Sequence, residues 1–341
     1  MSPTTTPPRV LILGGTGFVG RHVAEAFLAR GAAVTLLHRG RSNPGVLPAA
    51  EHVLAERASP EASATLAGRA FDVVVDTSGY EVPVVRASAR ALAASQPLYV
   101  FVSSISVYAD LARTDEGAPA RTTAGADTAT LSLDNYGALK AACETAIDAE
   151  LPGRALHVRA GLILGPHDYD ARFRYWLERI ARGGEVLAPG DPDAPTQAID
   201  ARDLAAWIVR SAAARTVGTF NVTGAPLSMR ERLETVRAVV GGAARLSWVP
   251  DDVLLAHAVA PYSELPFWLP ASLGARPVPI DRALASGLAL RPFSDTARDT
   301  WTWLRTDGWD AEASVRAHRR LHVPAGLSDA REQAILGALR R

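Results

Sequence analysis

Short apolar runs alternate along most of the chain with stretches that have helical spacing. The runs are rich in Val, Ile and Leu and nearly continuous, which is typical of strands buried on both faces of a parallel sheet. The stretches between them repeat apolar residues three and four positions apart, as amphipathic helices do. We predict strands at Arg9–Leu13, Ala33–Leu37, His52–Ala55, Phe71–Val75, Leu98–Val102 and Leu156–Leu164, and helices at Arg21–Arg30, Val84–Ala94 and Tyr136–Leu151.

This alternation predicts an α/β fold of the Rossmann type, a doubly wound parallel sheet with a smaller C-terminal substrate-binding region. Ligands bind such sheets at the carboxyl ends of the strands. We expect a flexible tail at 1–8, a dinucleotide-binding domain at 9–165 that is rejoined by 196–225, and a substrate-binding region at 166–195 and 226–341. The aromatic and proline-rich stretch at 261–270 is either a lid or packing, and we favour packing.

A glycine-rich turn follows the first predicted strand and opens a helix: Gly14-Gly15-Thr16-Gly17-Phe18-Val19-Gly20. Gly14 permits a tight turn, Gly17 lets the backbone approach a pyrophosphate, and Gly20 lets helix pack closely on strand. The N–H groups at the start of the helix favour an anion at the same place. The turn therefore predicts a dinucleotide site.

The end of the second strand bears on which dinucleotide is bound. NAD-selective sites usually carry an acidic side chain there for the ribose 2′-hydroxyl, but this chain has His38, followed by Arg39 and Arg41. Arginines bind phosphate through charge-assisted hydrogen bonds. We therefore expect NADP(H) to be favoured, with NAD(H) left open, and we expect Glu56, after the third strand, to border the adenine.

Tyr136 and Lys140 form the candidate catalytic pair. Lys140 is the only lysine among the 36 Lys and Arg residues, so this one position has an ammonium where the chain otherwise uses arginine. Residues four apart share one face of a helix. Because a neighbouring cation favours phenolate, we expect the pKa of Tyr136 to lie below its usual value of about 10. Tyr136 would then serve as a general acid or base.

Composition narrows the class of partner. The formal net charge is zero and the pI is about 7.1, so we expect no nucleic-acid partner. No apolar run approaches the roughly 20 residues of a membrane helix, and the N-terminus does not read as a secretory signal. We therefore expect a cytoplasmic protein that does not associate with membranes. A single cysteine, Cys143, excludes an internal disulfide and a cysteine-based metal cluster, and we expect no metal site.

The glycine turn, Ser103-Ser104 at the end of a strand, and Tyr136-x-x-x-Lys140 occur in that order. Together they resemble the extended branch of the short-chain dehydrogenase/reductases, the NAD-dependent epimerase/dehydratase family, over about residues 9–225. Within that family the chain is similar to a reductase-like bacterial subset. The resemblance implies that Tyr136 is the catalytic acid/base, that Lys140 binds the nicotinamide ribose, and that Ser104 binds the substrate oxygen.

The resemblance also implies a set of cofactor contacts that follow the strand ends. Besides Tyr136, Lys140, His38, Arg39, Arg41 and Glu56, they are Gly14, Thr16, Gly17, Phe18, Val19, Gly20, Thr77, Ser78, Gly79, Ser103, Ala160, Gly161 and Leu162. One departure matters for the reaction: the Asp-Glu pair of the family's sugar dehydratases is Ile105-Ser106 here. This substitution argues against dehydration.

The sequence thus favours an NAD(P)-dependent oxidoreductase that reduces a carbonyl, or oxidises an alcohol, of a small-molecule substrate. A nucleotide-sugar epimerase with tightly bound NAD stays open, as does a non-catalytic cofactor-sensing or RNA-binding module. The neutral charge and the retained Tyr136 and Lys140 argue against RNA binding. His167 and Arg174 are candidates for substrate contact, and the resemblance allows a homodimer formed through the helices beside the tyrosine.

Overall fold

The fold is described from a computed structural model, which covers residues 6–169, 171–306 and 326–340. Most of the predicted tail, residues 1–5, lies outside these ranges. The strands are β1 (Arg9–Leu13), β2 (Ala33–His38), β3 (Glu51–Leu54), β4 (Val73–Asp76), β5 (Leu98–Ser104), β6 (Ala155–Ala160), β7 (Leu162–Leu164), β8 (Gly184–Pro189), β9 (Pro195–Thr196), β10 (Ala198–Asp200), β11 (Gly218–Val222), β12 (Leu227–Ser228) and β13 (Ala244–Val249). The helices are α1 (Phe18–Leu28), α2 (Pro60–Leu66), α3 (Val82–Leu92), α4 (Tyr136–Glu150), α5 (Ala171–Ala181), α6 (Ala201–Ala213), α7 (Met229–Val240), α8 (Asp251–Ala256), α9 (Asp281–Ala285), α10 (Phe293–Thr306) and α11 (Asp329–Ala338).

Seven parallel strands form the central sheet, in the order β11-β6-β5-β4-β1-β2-β3. The chain builds β1 to β3 outward in one direction and then returns to place β4 beside β1. The strand order therefore reverses between β1 and β4, and in doubly wound sheets a ligand binds at the carboxyl ends of the strands at such a point. The predicted Rossmann-type fold is confirmed.

Several element bounds differ from the predicted ones by one or two residues, and two further differences bear on the site. Helix α1 begins at Phe18 rather than Arg21, because Gly17 is its N-cap and the glycine turn runs directly into the helix. The strand predicted at Leu156–Leu164 is divided at Gly161 into β6, in the main sheet, and β7, which pairs with β10. This break carries the chain out of the sheet and toward the C-terminal region.

The C-terminal region has a hydrophobic core of its own. Helices α5, α7 and α10 pack together there, and β8 pairs in parallel with β13. The stretch at 261–270 contributes both to this core and to the cavity described below. Leu265, Phe267 and Trp268 are buried in the core, whereas Pro261, Tyr262 and Ser263 line the cavity. This C-terminal core is distinct from the two clusters that pack on the faces of the central sheet, and on that basis we propose the predicted domain division; Ala283 and Leu288 pack with the sheet instead. No helix in the described ranges is long and apolar enough to span a membrane.

Candidate active site

A cavity of about 600 Å³ opens at the carboxyl ends of the central strands. Most of the predicted site residues lie on its wall. They are Gly14, Thr16, Gly17, Phe18, Val19, Gly20, His38, Arg39, Arg41, Glu56, Thr77, Ser78, Ser103, Ser104, Tyr136, Lys140, Ala160, Gly161 and Leu162. One cavity thus contains both the candidate phosphate site and the candidate catalytic pair.

The glycine turn fits a dinucleotide for steric reasons that the structure makes explicit. Gly14 has φ +91°, a left-handed conformation that favours glycine, and a Cβ there would lie 2.8 Å from the Cβ of Ser78. A Cβ on Gly20 would overlap the backbone of Gly14 and Gly15. These approaches bring the first turn of α1 against the glycine turn after β1, and the N–H groups of a helix start would suit a pyrophosphate there.

His38, at the end of β2, is buried and neutral. Its Nδ1 accepts a hydrogen bond from the backbone N–H of Gly40 (3.1 Å), and its Nε2 lies 2.9 Å from Nδ1 of His52. Burial, and then the proximity of His52, lower the pKa of His38. The position that carries a carboxylate in NAD-selective sites therefore has an uncharged ring.

The exposed arginines after His38 lie at the same end of the cavity. Arg39 and Arg41 both line it, and Nη1 of Arg39 is 3.9 Å from Oε2 of Glu56. Glu56 thus lies beside the guanidinium that we expect to bind a 2′-phosphate. Its place on the cavity wall is compatible with the expected contact to adenine.

A buried ion pair under this end of the cavity was not anticipated from the sequence. Arg57 donates two parallel hydrogen bonds to Asp76, at 2.6 and 2.5 Å, and a third to Oγ of Ser78 at 3.2 Å. Asp76 is 0% exposed and also accepts from the hydroxyl of Tyr99 at 3.0 Å. Burial raises the pKa of Asp76, but the Arg57 guanidinium, the Lys140 ammonium and the N–H of Ser78 together outweigh this effect, and the net direction is downward. The pair fixes the strand end that carries Thr77 and Ser78.

Lys140 is buried at the floor of the cavity, with 2% of its surface exposed. Its Nζ donates to the carbonyl oxygens of Gly79 (2.9 Å) and Val102 (2.7 Å). It also lies 4.4 and 4.8 Å from the ring centroids of Phe101 and Tyr80. Burial lowers the pKa of the ammonium to about 8, while Asp76 acts in the opposite direction. The Lys140 ammonium has three N–H donors. Within the described residues, two of them bind these carbonyl oxygens, which leaves one for a ligand in the cavity.

Tyr136 is the first residue of α4 and lines the cavity together with Ser104, whose hydroxyl favours the phenolate form of Tyr136. Oγ of Ser104 accepts from the backbone N–H of Ser106 at 3.1 Å, which orients the hydroxyl. A Cβ on the next residue, Gly137, would overlap the carbonyl oxygen of Ser106. The glycine after Tyr136 therefore allows the start of α4 to pack closely on the turn that follows β5, which brings Tyr136 to the same cavity wall as Ser104.

The expected lowering of the Tyr136 pKa is not what the structure shows. Burial raises the pKa of Tyr136, and the Ser104 hydroxyl and the charge of Arg172 offset only part of this effect. The ammonium of Lys140 is instead directed at the carbonyl oxygens of Gly79 and Val102. Tyr136 therefore holds its proton at neutral pH.

Three predicted residues act at the site through packing or buried bonds. Ser103 donates to Glu144 at 2.5 Å, and Glu144 is paired with Arg159 at 2.8 Å. Gly79 does not line the cavity, but its carbonyl oxygen binds Lys140, and a Cβ on it would lie 2.7 Å from the Phe101 ring. Gly161 is closed in by the side chain of Thr223, so no larger residue fits where β6 turns into β7.

The substrate candidates His167 and Arg174 are not brought to the cavity. His167 contacts Arg21 and the ring of Trp303, and Nε of Arg174 donates to Glu178 one helical turn later at 2.7 Å. Arg172 lines the cavity instead, with its guanidinium carbon 5.4 Å from the ring centroid of Tyr262. The other lining residues at this end are Tyr80, Ser106, Leu133, Ile163, Asp168, Tyr169, Pro261 and Ser263.

Sequence reasoning did not predict the pairing of Arg57 with Asp76, the close approach at Gly137 or the choice of Arg172 over Arg174, for different reasons. Asp76 and Arg57 each follow a predicted strand. Parallel topology brings the ends of these strands to one edge of the sheet, so their contact could have been predicted. Gly137 lies inside the Tyr-x-x-x-Lys spacing, where a glycine at the start of a helix already indicates a close approach. Nothing in the local pattern separates Arg172 from Arg174, because both lie in the same turn of α5.

The sequence matches the model of the NAD dependent epimerase/dehydratase family over residues 10–223. No curated protein matches it at a significant level. Among solved structures, the Thermus thermophilus UDP-glucose 4-epimerase in complex with NAD is 20% identical, with 87% of this chain and 99% of that chain covered at a TM-score of 0.65. The Bordetella bronchiseptica enzyme WbmG in complex with NAD is 16% identical over 91% and 97% of the two chains, at a TM-score of 0.67. The UDP-N-acetylglucosamine 4-epimerase from Bacillus cereus is 16% identical over 87% and 99%, at a TM-score of 0.63. At these identities the structures show likeness of fold, whereas the family match spans most of the chain: this protein belongs to the NAD-dependent epimerase/dehydratase family, a family of enzymes.

Proposed function

We propose that the protein is an NADP(H)-preferring oxidoreductase that reduces a carbonyl, or oxidises an alcohol, of a small metabolite. The observation that carries the proposal is that Ser104, Tyr136 and the buried ammonium of Lys140 line the same cavity as the glycine turn. When bound, the nicotinamide cofactor would supply or accept the hydride. The glycine turn would hold its pyrophosphate, and Lys140 its nicotinamide ribose.

The side chains at the catalytic end would position the substrate oxygen and move its proton. Ser104 and Tyr136 would hold that oxygen, and Ser104 would stabilise the negative charge that develops on it. Because burial raises the pKa of Tyr136, the tyrosine is a proton donor at neutral pH, which suits reduction. Oxidation needs the deprotonated form, so its rate should rise with pH up to the tyrosine pKa. Arg172 lies close enough to influence Tyr136 electrostatically and would attract a substrate that carries an anionic group.

The cofactor preference is proposed from the end of β2. There the position has a histidine of lowered pKa rather than a carboxylate, and Arg39 and Arg41 line the cavity, where they would meet a 2′-phosphate. We would titrate the protein with NADPH and NADH and follow nicotinamide fluorescence. Tighter NADPH binding is expected, with a loss of roughly tenfold to a hundredfold in Arg39→Ala, which is the range for a hydrogen bond to a charged group. Equal binding of the two cofactors would refute the preference.

The proposed reaction is tested by screening carbonyl compounds for NADPH oxidation with wild type and Tyr136→Phe. Loss of a general acid typically costs about 10²–10⁴-fold in rate, and NADPH binding should be unchanged in the variant. A variant that keeps the wild-type rate would refute the role of Tyr136. NADPH binding by Tyr136→Phe is measured separately. A variant that binds NADPH normally is folded, so a loss of rate in it is a defect in proton transfer.

A nucleotide-sugar epimerase is a second candidate, supported by the family match and by the fold that the chain shares with UDP-sugar 4-epimerases. An epimerase must retain its cofactor through oxidation and reduction of one substrate. NAD that remains bound through gel filtration, together with interconversion of UDP-sugars, would favour it over the reductase. Neither candidate function is a dehydration, since that reaction would need carboxylates where this chain has Ile105 and Ser106.

A further inference from the structure

We infer that His38 and His52 form a hydrogen-bonded relay that fixes the loop at residues 39–47, and that His52 is thereby a positioning residue for a 2′-phosphate although it does not line the cavity. The inference rests on the proposed NADP(H) preference, because this loop carries Arg39, Arg41 and Ser42 on the cavity wall. The inference assigns a positioning role to the rings of His38 and His52, which hold this loop.

The direction of every bond in the relay follows from the two groups at its ends. The N–H of Gly40 can only donate, so Nδ1 of His38, 3.1 Å away, must be an acceptor. A neutral His38 then carries its proton on Nε2 and donates to Nδ1 of His52 at 2.9 Å. His52 in turn carries its proton on Nε2 and donates to the carbonyl oxygen of Leu47 at 3.3 Å, a group that can only accept. One pattern of two neutral rings satisfies all three bonds.

The relay connects both ends of the loop to the sheet. Gly40 is one of its first residues and Leu47 its last, and both have left-handed backbone conformations, with φ +71° and φ +60°. Leu47 is not a glycine, so this conformation is unfavourable unless contacts hold it. In the middle of the loop, Asn43 (φ +43°) donates to the carbonyl oxygen of Thr16 in the glycine turn at 3.3 Å. The loop is thus held at both ends by His38 and His52 and at its middle by the glycine turn.

A proton added to either ring breaks one of these bonds. On His38 it would go to Nδ1 and oppose the N–H of Gly40; on His52 it would go to Nδ1 and oppose Nε2–H of His38. The charged groups on the adjoining elements are engaged with one another, so they offer the relay little compensation. Glu51 on β3 bonds Thr35 and Arg69, Arg39 lies by Glu56 on the cavity side, and Glu25 on α1 pairs with Arg21 and His22. Burial already lowers the pKa of His38, so the neutral relay is present at high pH and is lost as pH falls.

The test compares two substitutions of His52 that differ in what they leave of the relay. In His52→Asn, the amide oxygen can take the place of Nδ1 as acceptor for His38 but does not titrate. In His52→Leu, that acceptor is removed. NADPH and NADH affinities are measured by nicotinamide fluorescence between about pH 5.5 and 8, the range in which histidine titrates.

His52→Leu is expected to bind NADPH roughly tenfold more weakly than wild type at the upper end of the range, the order expected when a buried hydrogen-bonding group loses its partner. Its NADH affinity should be unchanged. His52→Asn should stay within about threefold of wild type at that pH and lose affinity less steeply as pH falls. The 2′-phosphate itself titrates near pH 6, but it is the same in both proteins, so the difference between the two profiles belongs to the histidines.

Nitrogen-15 NMR of the ring nitrogens in the protein without cofactor provides a readout that does not depend on NADPH. Both His38 and His52 should carry the proton on Nε2 at neutral pH. A proton on Nδ1 of either ring, NADPH affinity unchanged in His52→Leu, or identical pH profiles for wild type and His52→Asn would each overturn the relay. Wild-type protein that binds NADPH no better than NADH would instead overturn the proposed cofactor preference, and the NMR result would still decide the relay.

Discussion

The two ends of the cavity are built in different ways. The cofactor end is formed at the ends of β1, β2 and β4, where the sheet fixes the glycine turn and the side chains beside it. The substrate end is formed largely by side chains, and two of its segments, one near Arg172 and the other near Tyr262, lie far apart in sequence. Tyr262 has φ +63° and His167, close to Arg172 in sequence, has φ +67°, conformations in which a non-glycine residue is held by its surroundings.

This difference indicates which end of the cavity the fold determines and which end can vary from one enzyme to another. Binding a pyrophosphate requires backbone N–H groups at a fixed distance from a strand end, so the cofactor end is determined by the fold itself. The substrate end depends on which side chains the C-terminal region happens to bring over the sheet. We therefore expect substitutions at the cofactor end to affect folding or cofactor affinity, and those at the substrate end to affect substrate affinity alone.

The largest expected effect is on folding and comes from Arg57→Ala at the cofactor end. It would leave Asp76 charged and fully buried beneath the cavity, which typically costs about 3–5 kcal/mol when one partner of a buried pair is removed. Chemical denaturation of wild type and variant measures the difference. Arg69→Ala is the matched control, since Arg69 pairs with Glu51 at a partly exposed site and such pairs contribute about 0–1 kcal/mol. Equal losses in the two variants would contradict the role assigned to the buried pair.

Gly137→Ala probes the boundary between the two ends. The new methyl group would overlap the carbonyl oxygen of Ser106, so the start of α4 must move away from Ser106 and displace Tyr136 relative to Ser104. A displacement of about 1 Å at a catalytic group can cost roughly 10²-fold in rate, while NADPH affinity should change little. Gly337→Ala in α11, where a Cβ meets nothing within 4 Å, is the control. Full activity in Gly137→Ala would show that this close approach is not needed.

What the sequence predicted follows the same division between the ends. The strand ends, the glycine turn, Ser104, Tyr136 and Lys140 were all placed on the cavity, because motif spacing and parallel topology determine them. Arg172 was passed over for Arg174 because the choice depends on the rotation of α5 about its axis, which is set by packing in the C-terminal core. The direction of the Tyr136 pKa was mistaken for a related reason. The burial of the phenol, and the carbonyl oxygens that hold Lys140, are tertiary features absent from the motif.

Arg172→Gln tests the substrate end against its neighbour Arg174→Gln. If Arg172 binds an anionic group, removing its charge should raise KM for an anionic substrate by about tenfold or more, as expected for a charge-assisted hydrogen bond. KM for a neutral analogue and NADPH affinity should stay as in wild type. Arg174 pairs with Glu178 on the helix surface, so its substitution should leave all three quantities unchanged. An equal rise in KM for neutral and anionic substrates would argue for a loss of packing rather than of charge recognition.

The smallest expected effect is an increase in affinity, from Glu56→Gln at the cofactor end. Glu56 lies 3.9 Å from the Arg39 guanidinium, where its charge competes with a 2′-phosphate for the same cation. Both side chains are partly exposed, so the ion pair contributes at most about 1 kcal/mol, and NADPH affinity should rise by no more than about fivefold. NADH lacks the phosphate, so its affinity should not rise. The gain should also shrink with added salt, because ions screen exposed charges over about 10 Å at 0.1 M. If Glu56 instead holds a ribose hydroxyl directly, the same substitution weakens both cofactors at every salt concentration, and Glu56 rather than Arg39 would then be the residue that reads the ribose.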